Sequence, residues 1–302
     1  MQRASTIGIV LLALLGLAAC GGSSGKSSSK ANTPATLLSQ TLGSGLGEIH
    51  SGDLSLTVDA DLHGLKALGS QPISLVASGP FSDRGGLDAF DLSATVTVKG
   101  TTVPVGVLAT GKAIYIEFAG TYYSLPASAS GARLRSALPA TGASGAAGLL
   151  SRLGIQPLSW LTGAKLVGSA TVGGIATEHL TAQVDIAKVL SDLATLASRI
   201  AGKKASSLLS GADLSELVSA INSSQIELYT GTQDHILREL KFAISFTVPP
   251  AAQSTLDGTT AGSFTIDAQI SNLNAPEAAI TAPKSPQPLS GLLSGAGKLL
   301  GL

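Results

Sequence analysis

From residue 53 to residue 62 the chain alternates strictly between apolar and polar side chains. Leu54, Leu56, Val58, Ala60 and Leu62 interleave with Asp53, Ser55, Thr57, Asp59 and Asp61. Successive side chains of a strand point to opposite faces, so the pattern predicts a strand with one dry face and one wet face. The same period returns over 73–78. It returns again where Phe90, Leu92, Ala94, Val96 and Val98 oppose Asp91, Ser93, Thr95, Thr97 and Lys99. Gly100-Thr101, Gly111-Lys112 and Gly120-Thr121 then punctuate two further apolar-polar runs, over 103–109 and 114–118. Strands this closely spaced make an antiparallel meander.

A second set of strands follows later in the chain. Residues 165–172 turn at Gly173-Gly174 into 175–184, and 226–230 lead into 236–248, where Leu240, Phe242, Ile244, Phe246 and Val248 alternate with polar or small residues. Phe264, Ile266, Ala268 and Ile270 repeat the alternation in the last strand. Apart from Leu149, Leu150 and Leu153, which suggest one short helix, helical spacing is confined to three places. Thr33-Pro34 caps a short helix carrying Leu37, Leu38 and Leu42, which Gly43 to Gly47 should end. Asp185 caps the longest one, striped by Ile186, Val189, Leu190, Leu193, Leu196, Ala197 and Ile200 and stopped at Gly202. A third starts near Asp213, with Glu216 in capping-box position and Leu214, Leu217, Val218 and Ile221 as its stripe.

About ten amphipathic strands with internal helices and no βαβ alternation predict an α+β fold: one curved antiparallel sheet, a half-barrel wrapped around α-helices that cover its apolar face. With aromatic residues at 4% and charged residues at 13%, the core must come from Leu, Val, Ile and Ala. Residues 126–156, rich in Ala, Gly, Ser and Leu, break the pattern and read as a lid or insertion. Trp160, the lone tryptophan, reads as a core plug.

The amino terminus sets the compartment. Arg3 precedes an apolar run over 7–19, shorter than the roughly 20 residues a spanning helix needs, and the run ends in Leu17-Ala18-Ala19-Cys20. This is the order of a lipoprotein signal. The alternative is a plain signal peptide or membrane stub with an incidental cysteine. Cys20 is the only cysteine, so no intramolecular disulfide accounts for it, and lipidation of its thiol does. The expected division is a signal peptide at 1–19, a lipidated Cys20 with a Gly/Ser/Lys tether to residue 32, a single domain over 33–275, and a Pro-rich irregular tail over 276–302. Such a protein sits on the extracytoplasmic face of the cell membrane, held by its lipid anchor.

No catalytic pattern is present in the sequence. His50, His63, His179 and His235 are scattered, with no second ligand at metal spacing, so no metal and no cofactor is expected. There is neither a G-x-S-x-G elbow nor a phosphate loop. His179, between Thr177 and Thr181, is a candidate for a polar contact on the sheet surface, weighed against a solvated or cross-strand-paired histidine. Tyr115, Tyr122 and Tyr123 suit a carbohydrate site or plain sheet packing. The balance of 19 basic and 19 acidic side chains gives no field to draw nucleic acid.

Several stretches together resemble the actinobacterial lipoproteins of the LppX and LprG type, which share a fold with the lipoprotein carrier LolA. They are Ser51-Gly52-Asp53, Ala113-Ile114-Tyr115-Ile116, Gly120-Thr121-Tyr122-Tyr123, Gly173-Gly174-Ile175-Ala176-Thr177-Glu178-His179-Leu180, Ile226-Glu227-Leu228-Tyr229 and Asp234-His235-Ile236-Leu237-Arg238. The resemblance implies a half-barrel with an apolar cavity that takes up acylated lipids or glycolipids and moves or presents them at the envelope, and it implies no enzyme. On that reading Leu56, Val58, Val96, Leu193, Leu196 and Phe242 border one apolar space. The second reading is a non-carrier envelope lipoprotein, a scaffold or sensor for a protein partner.

Overall fold

The computed structural model describes residues 33–65, 71–82, 89–110, 113–124, 157–192, 218–254, 258–276 and 279–288. Twelve strands form one open sheet in the order β12-β6-β5-β4-β3-β2-β1-β11-β10-β9-β8-β7. They are β1 (Ser51–His63), β2 (Ile73–Ser82), β3 (Ala89–Val98), β4 (Thr101–Thr110), β5 (Ile114–Phe118), β6 (Thr121–Ser124), β7 (Leu161–Val172), β8 (Ile175–Val184), β9 (Ile221–Gly231), β10 (Leu237–Thr247), β11 (Ala261–Ser271) and β12 (Gln287–Pro288). Every pairing is antiparallel except β12 on β6. Two meanders, β1 to β6 and β7 to β11, are thus joined along one seam. At that seam β1 runs beside β11 over eleven registered pairs, from Asp53 opposite Ser271 to His63 opposite Ala261.

The turns follow from backbone chemistry. Lys99-Gly100, Ala119-Gly120 and Gly173-Gly174 all have positive φ, the pair of left-handed residues whose twist matches that of two antiparallel strands. β6, the strand of Tyr122 and Tyr123, has four residues, too few for a period to show. Among the described residues, one short strand goes beyond the sequence reading. β12 lies in the tail expected to be irregular, where Gln287 and Pro288 stand beside Tyr123 and Ser124. Proline tolerates this place because an edge strand leaves its missing N–H facing away from the ladder.

The N-terminal helix starts and stops where its sequence signals place it. Thr33 caps it, its hydroxyl accepting from the Thr36 N–H at 3.2 Å, and Pro34 sits in its first turn. Its helical run passes Gly43 and stops at Gly47, within the glycine stretch expected to end it. The helix Pro34–Ser39 runs on as a π-helix over Gln40–Gly45. Gly45 is there for contact: a Cβ on it would lie 2.3 Å from the His235 carbonyl oxygen, so the helix approaches the β9-β10 turn more closely than any side chain permits. Leu37, Leu38, Leu46 and Ile49 are thereby brought onto Leu180, Leu228, Leu237 and Ile270 in one buried cluster.

Asp185 caps a helix as expected, its carboxylate accepting from the Lys188 N–H at 3.2 Å, and residues 186–192 are helical. The rest of its stripe, including Leu193 and Leu196, lies outside the described residues. So do 126–156 and the start of the third helix. That helix is seen only at 218–219, and Ile221, assigned to its stripe on spacing, opens β9 instead. Among the described residues no helix is long and apolar enough to cross a membrane.

Candidate functional site

Register turns the alternation of single strands into continuous rows, because residues directly opposite each other share a sheet face. One row runs Val105, Ala94, Ala77, Leu56, Ala268, Leu240, Leu228 and Leu180 across eight strands. The next runs Val103, Val96, Leu75, Val58, Ile266, Phe242, Ile226 and Ala182 across the same eight. Neither row contains a polar side chain. The N-terminal helix covers the Leu180 and Leu228 end. Farther along, Leu56, Val58, Ala77 and Ile266 form a separate buried cluster, flanked by half-buried Leu75, Ala94, Phe242, Phe264 and Ala268.

The candidate cavity residues fall on this face as follows. Leu56, Val58 and Phe242 meet in that second cluster. Val96 stands in the same row as Val58, two strands away and half-buried. Leu193, Leu196 and the lipidation candidate Cys20 lie outside the described residues.

The opposite face is polar, and it holds a network that the sequence pointed to at one residue only. His179 pairs with Glu227 at 2.9 Å and stacks flat on Tyr229, with ring centroids 4.4 Å apart and planes 8° off parallel. The Tyr229 hydroxyl donates to Glu227 at 3.1 Å. The Lys241 ammonium lies 5.4 Å from the Tyr229 ring centre, 3.2 Å from Glu239 and 3.7 Å from Asp267. Burial and the Glu227 carboxylate push the Tyr229 phenol up from its ordinary value. Burial pulls Lys241 down, Glu239 and Asp267 outweigh it, and the net shift is upward. His179 is therefore a cross-strand-paired histidine. Its partners could be found from sequence only with the β8-β9 register in hand, which sets His179 opposite Tyr229 and Thr181 opposite Glu227.

Two other candidates resolve into packing or clamping. Tyr115 is buried in the sheet. Trp160 is half-buried rather than a core plug, and its indole N–H donates to Asp192 at 2.7 Å, tying the start of the second meander to the helix after β8. No group of three or more His, Cys, Asp or Glu side chains that could hold a metal occurs among the described residues.

No family model matches the chain, and no curated protein matches it. Among solved structures it is similar to LprF from Mycobacterium bovis, at 15% identity and a TM-score of 0.43, covering 83% of this chain and 97% of that one. It is similar also to the Mycobacterium tuberculosis lipoprotein LppX, at 13% identity and a TM-score of 0.39, covering 82% and 97%. A third likeness is to the Pseudomonas aeruginosa MucA/MucB complex, at 12% identity and a TM-score of 0.30, covering 83% of this chain and 61% of that one.

Proposed function

We propose that this chain is a lipoprotein anchored through Cys20 on the extracytoplasmic face of the cell membrane, and that its sheet offers an apolar face to the acyl chains of a lipid or glycolipid. The observation that supports it most is the pair of apolar rows crossing eight strands. A core needs apolar side chains only where another element packs on them. Here they continue as half-buried Val96, Leu75, Phe242 and Phe264 beyond the cluster that the N-terminal helix closes. Acyl chains need such a surface, since each buried methylene contributes about 0.8 kcal/mol with no directional contact required. On this reading Leu56, Val58, Val96 and Phe242 border that space from the sheet, while the other two candidates, Leu193 and Leu196, lie outside the described residues. Anchoring holds it beside its supply of lipid.

Native mass spectrometry of the protein purified from a lipid-containing host, with lipid extraction in parallel, tests this. An acylated species near one-to-one stoichiometry is expected, and Cys20→Ser should leave that species bound while removing the covalent lipid. A clean apo mass that persists after incubation with membrane extract would overturn it. That outcome would favour the scaffold reading, for which the exposed Leu166, Val167 and Ile175 on β7 and β8 are the specific support.

A further inference from the structure

One cleft at the end of the sheet is not accounted for by the apolar rows. It has a volume of about 380 Å³ and lies between the β7-β8 hairpin, the start of β10 and the end of β11. That size falls within the roughly 300–1,000 Å³ of small-ligand sites. Its walls are apolar at Val172, Ile175, Ile270 and Leu273 and polar at Gln269, Ser271 and Asn272, and Arg238 lines it as the one charged side chain.

Arg238 is out of place by the ordinary rules of burial. Its side chain is only 10% exposed, although a buried guanidinium needs an acceptor for each of its N–H groups. Asp234 takes Nη2. The same carboxylate also accepts from the Ile236 N–H at 3.1 Å, so it is held by the turn and has little freedom to serve the rest of the guanidinium. Nη1 is buried and has no acceptor among the described residues. A planar fork of donors engaged on one side alone, on a side chain lining a cleft with both polar and apolar walls, suits an oxyanion attached to a hydrocarbon chain. Lysine, with its three donors on one nitrogen, would not present a planar fork.

We infer that this cleft binds the anionic head, a carboxylate or phosphate, of an acyl amphiphile, with Arg238 as its counter-charge and Val172, Ile175, Ile270 and Leu273 around the first part of its chain. The inference rests on the lipid-binding reading and adds to it: it gives the ligand a charged head and the protein a place to read it.

The test uses the full chain and three probes, dodecanoate, dodecanol and inorganic phosphate, with affinities measured by calorimetry. Dodecanoate should bind more tightly than dodecanol, and phosphate alone much more weakly than dodecanoate. Arg238→Gln should weaken dodecanoate by roughly ten- to hundredfold and leave dodecanol unchanged. Should Arg238→Gln fail to fold, Ile175→Asp supplies the same answer, because that side chain is 47% exposed and places a negative charge on the cleft wall. It should weaken dodecanoate selectively. Equal affinity for dodecanoate and dodecanol, unmoved by either variant, would overturn the anionic head while leaving acyl binding intact. Phosphate binding as tightly as dodecanoate would mark a plain anion site and overturn the amphiphile. Binding of neither chain-bearing probe would overturn this inference together with the lipid-binding reading.

Discussion

At the scale of the residue, the polar face is where charge is handled. Six side chains from four strands, His179, Glu227, Tyr229, Glu239, Lys241 and Asp267, satisfy one another across the registers of β8 to β11. Tyr229 and Lys241 both titrate above their ordinary values of 10.0 and 10.5. A group harder to deprotonate in the folded than in the unfolded chain stabilises the fold fully below its unfolded value and loses that contribution as pH rises through its folded value. Thermal stability should therefore be insensitive to these groups up to about pH 10 and decline above it. Tyr229→Phe, which has no phenol to ionise, should show a shallower alkaline decline when melting temperature is followed from pH 8 to 11. Identical slopes in the two proteins would show that the phenol is not linked to folding. His179 was visible in the sequence as a polar residue on a strand face. Its partners were not, because period two fixes the face a side chain is on and leaves open which strand lies beside it.

At the scale of the element, local chemistry was legible wherever it decides structure unaided. Alternation marks ten of the strands, and the caps at Thr33 and Asp185 stand where spacing puts them. The glycine stretch 43–47 stops the first helix as spacing suggests, at its far end Gly47. Gly45 is needed inside the helical run because the close approach to His235 is a tertiary demand invisible to propensity. Trp160 misled. An indole in an apolar setting suggests a plug, but its N–H needs an acceptor, and Asp192 supplies one from a helix two strands later in the chain. That bond, the Lys188 ammonium 3.1 Å from the Ser159 carbonyl, and the Asp185 N–H donating to the Trp160 carbonyl at 2.7 Å help fasten the helical turn 186–192 to the segment Pro157–Trp160. Trp160→Phe keeps most of the ring and removes the donor. Hydrogen exchange over 186–192 should then quicken by roughly fivefold or more, as expected for about 1 kcal/mol of lost local stability, with β8 and β9 unchanged. Uniform acceleration across the sheet would assign Trp160 to the global core instead.

At the scale of the whole molecule, the decisive pairing is one that no local signal encodes. The chain contains two meanders, each legible as a run of short connections, and nothing in those connections says whether they make two sheets or one. The answer lies in β1 and β11, from opposite ends of the described chain, which register over eleven residue pairs and place Val58 opposite Ile266. Ile266 is 7% exposed and also faces Phe242, so it belongs to the row that crosses the seam. Joining strands so distant in sequence costs loop-closure entropy before any contact compensates it, and the seam should form late in folding. Once formed, it makes the two meanders a single cooperative unit, because each supplies one wall of the Leu56, Val58, Ala77 and Ile266 cluster. Ile266→Ala should cost about 2–5 kcal/mol. The amides of β3 and β4 in the first meander and of β9 and β10 in the second should lose protection together, by the same factor, in native-state hydrogen exchange. Loss confined to β10 and β11, with β3 and β4 still protected, would mean that the meanders are separately stable. The apolar rows would then break at β1-β11 into two independent faces, each half as wide as an acyl-binding surface spanning the sheet requires.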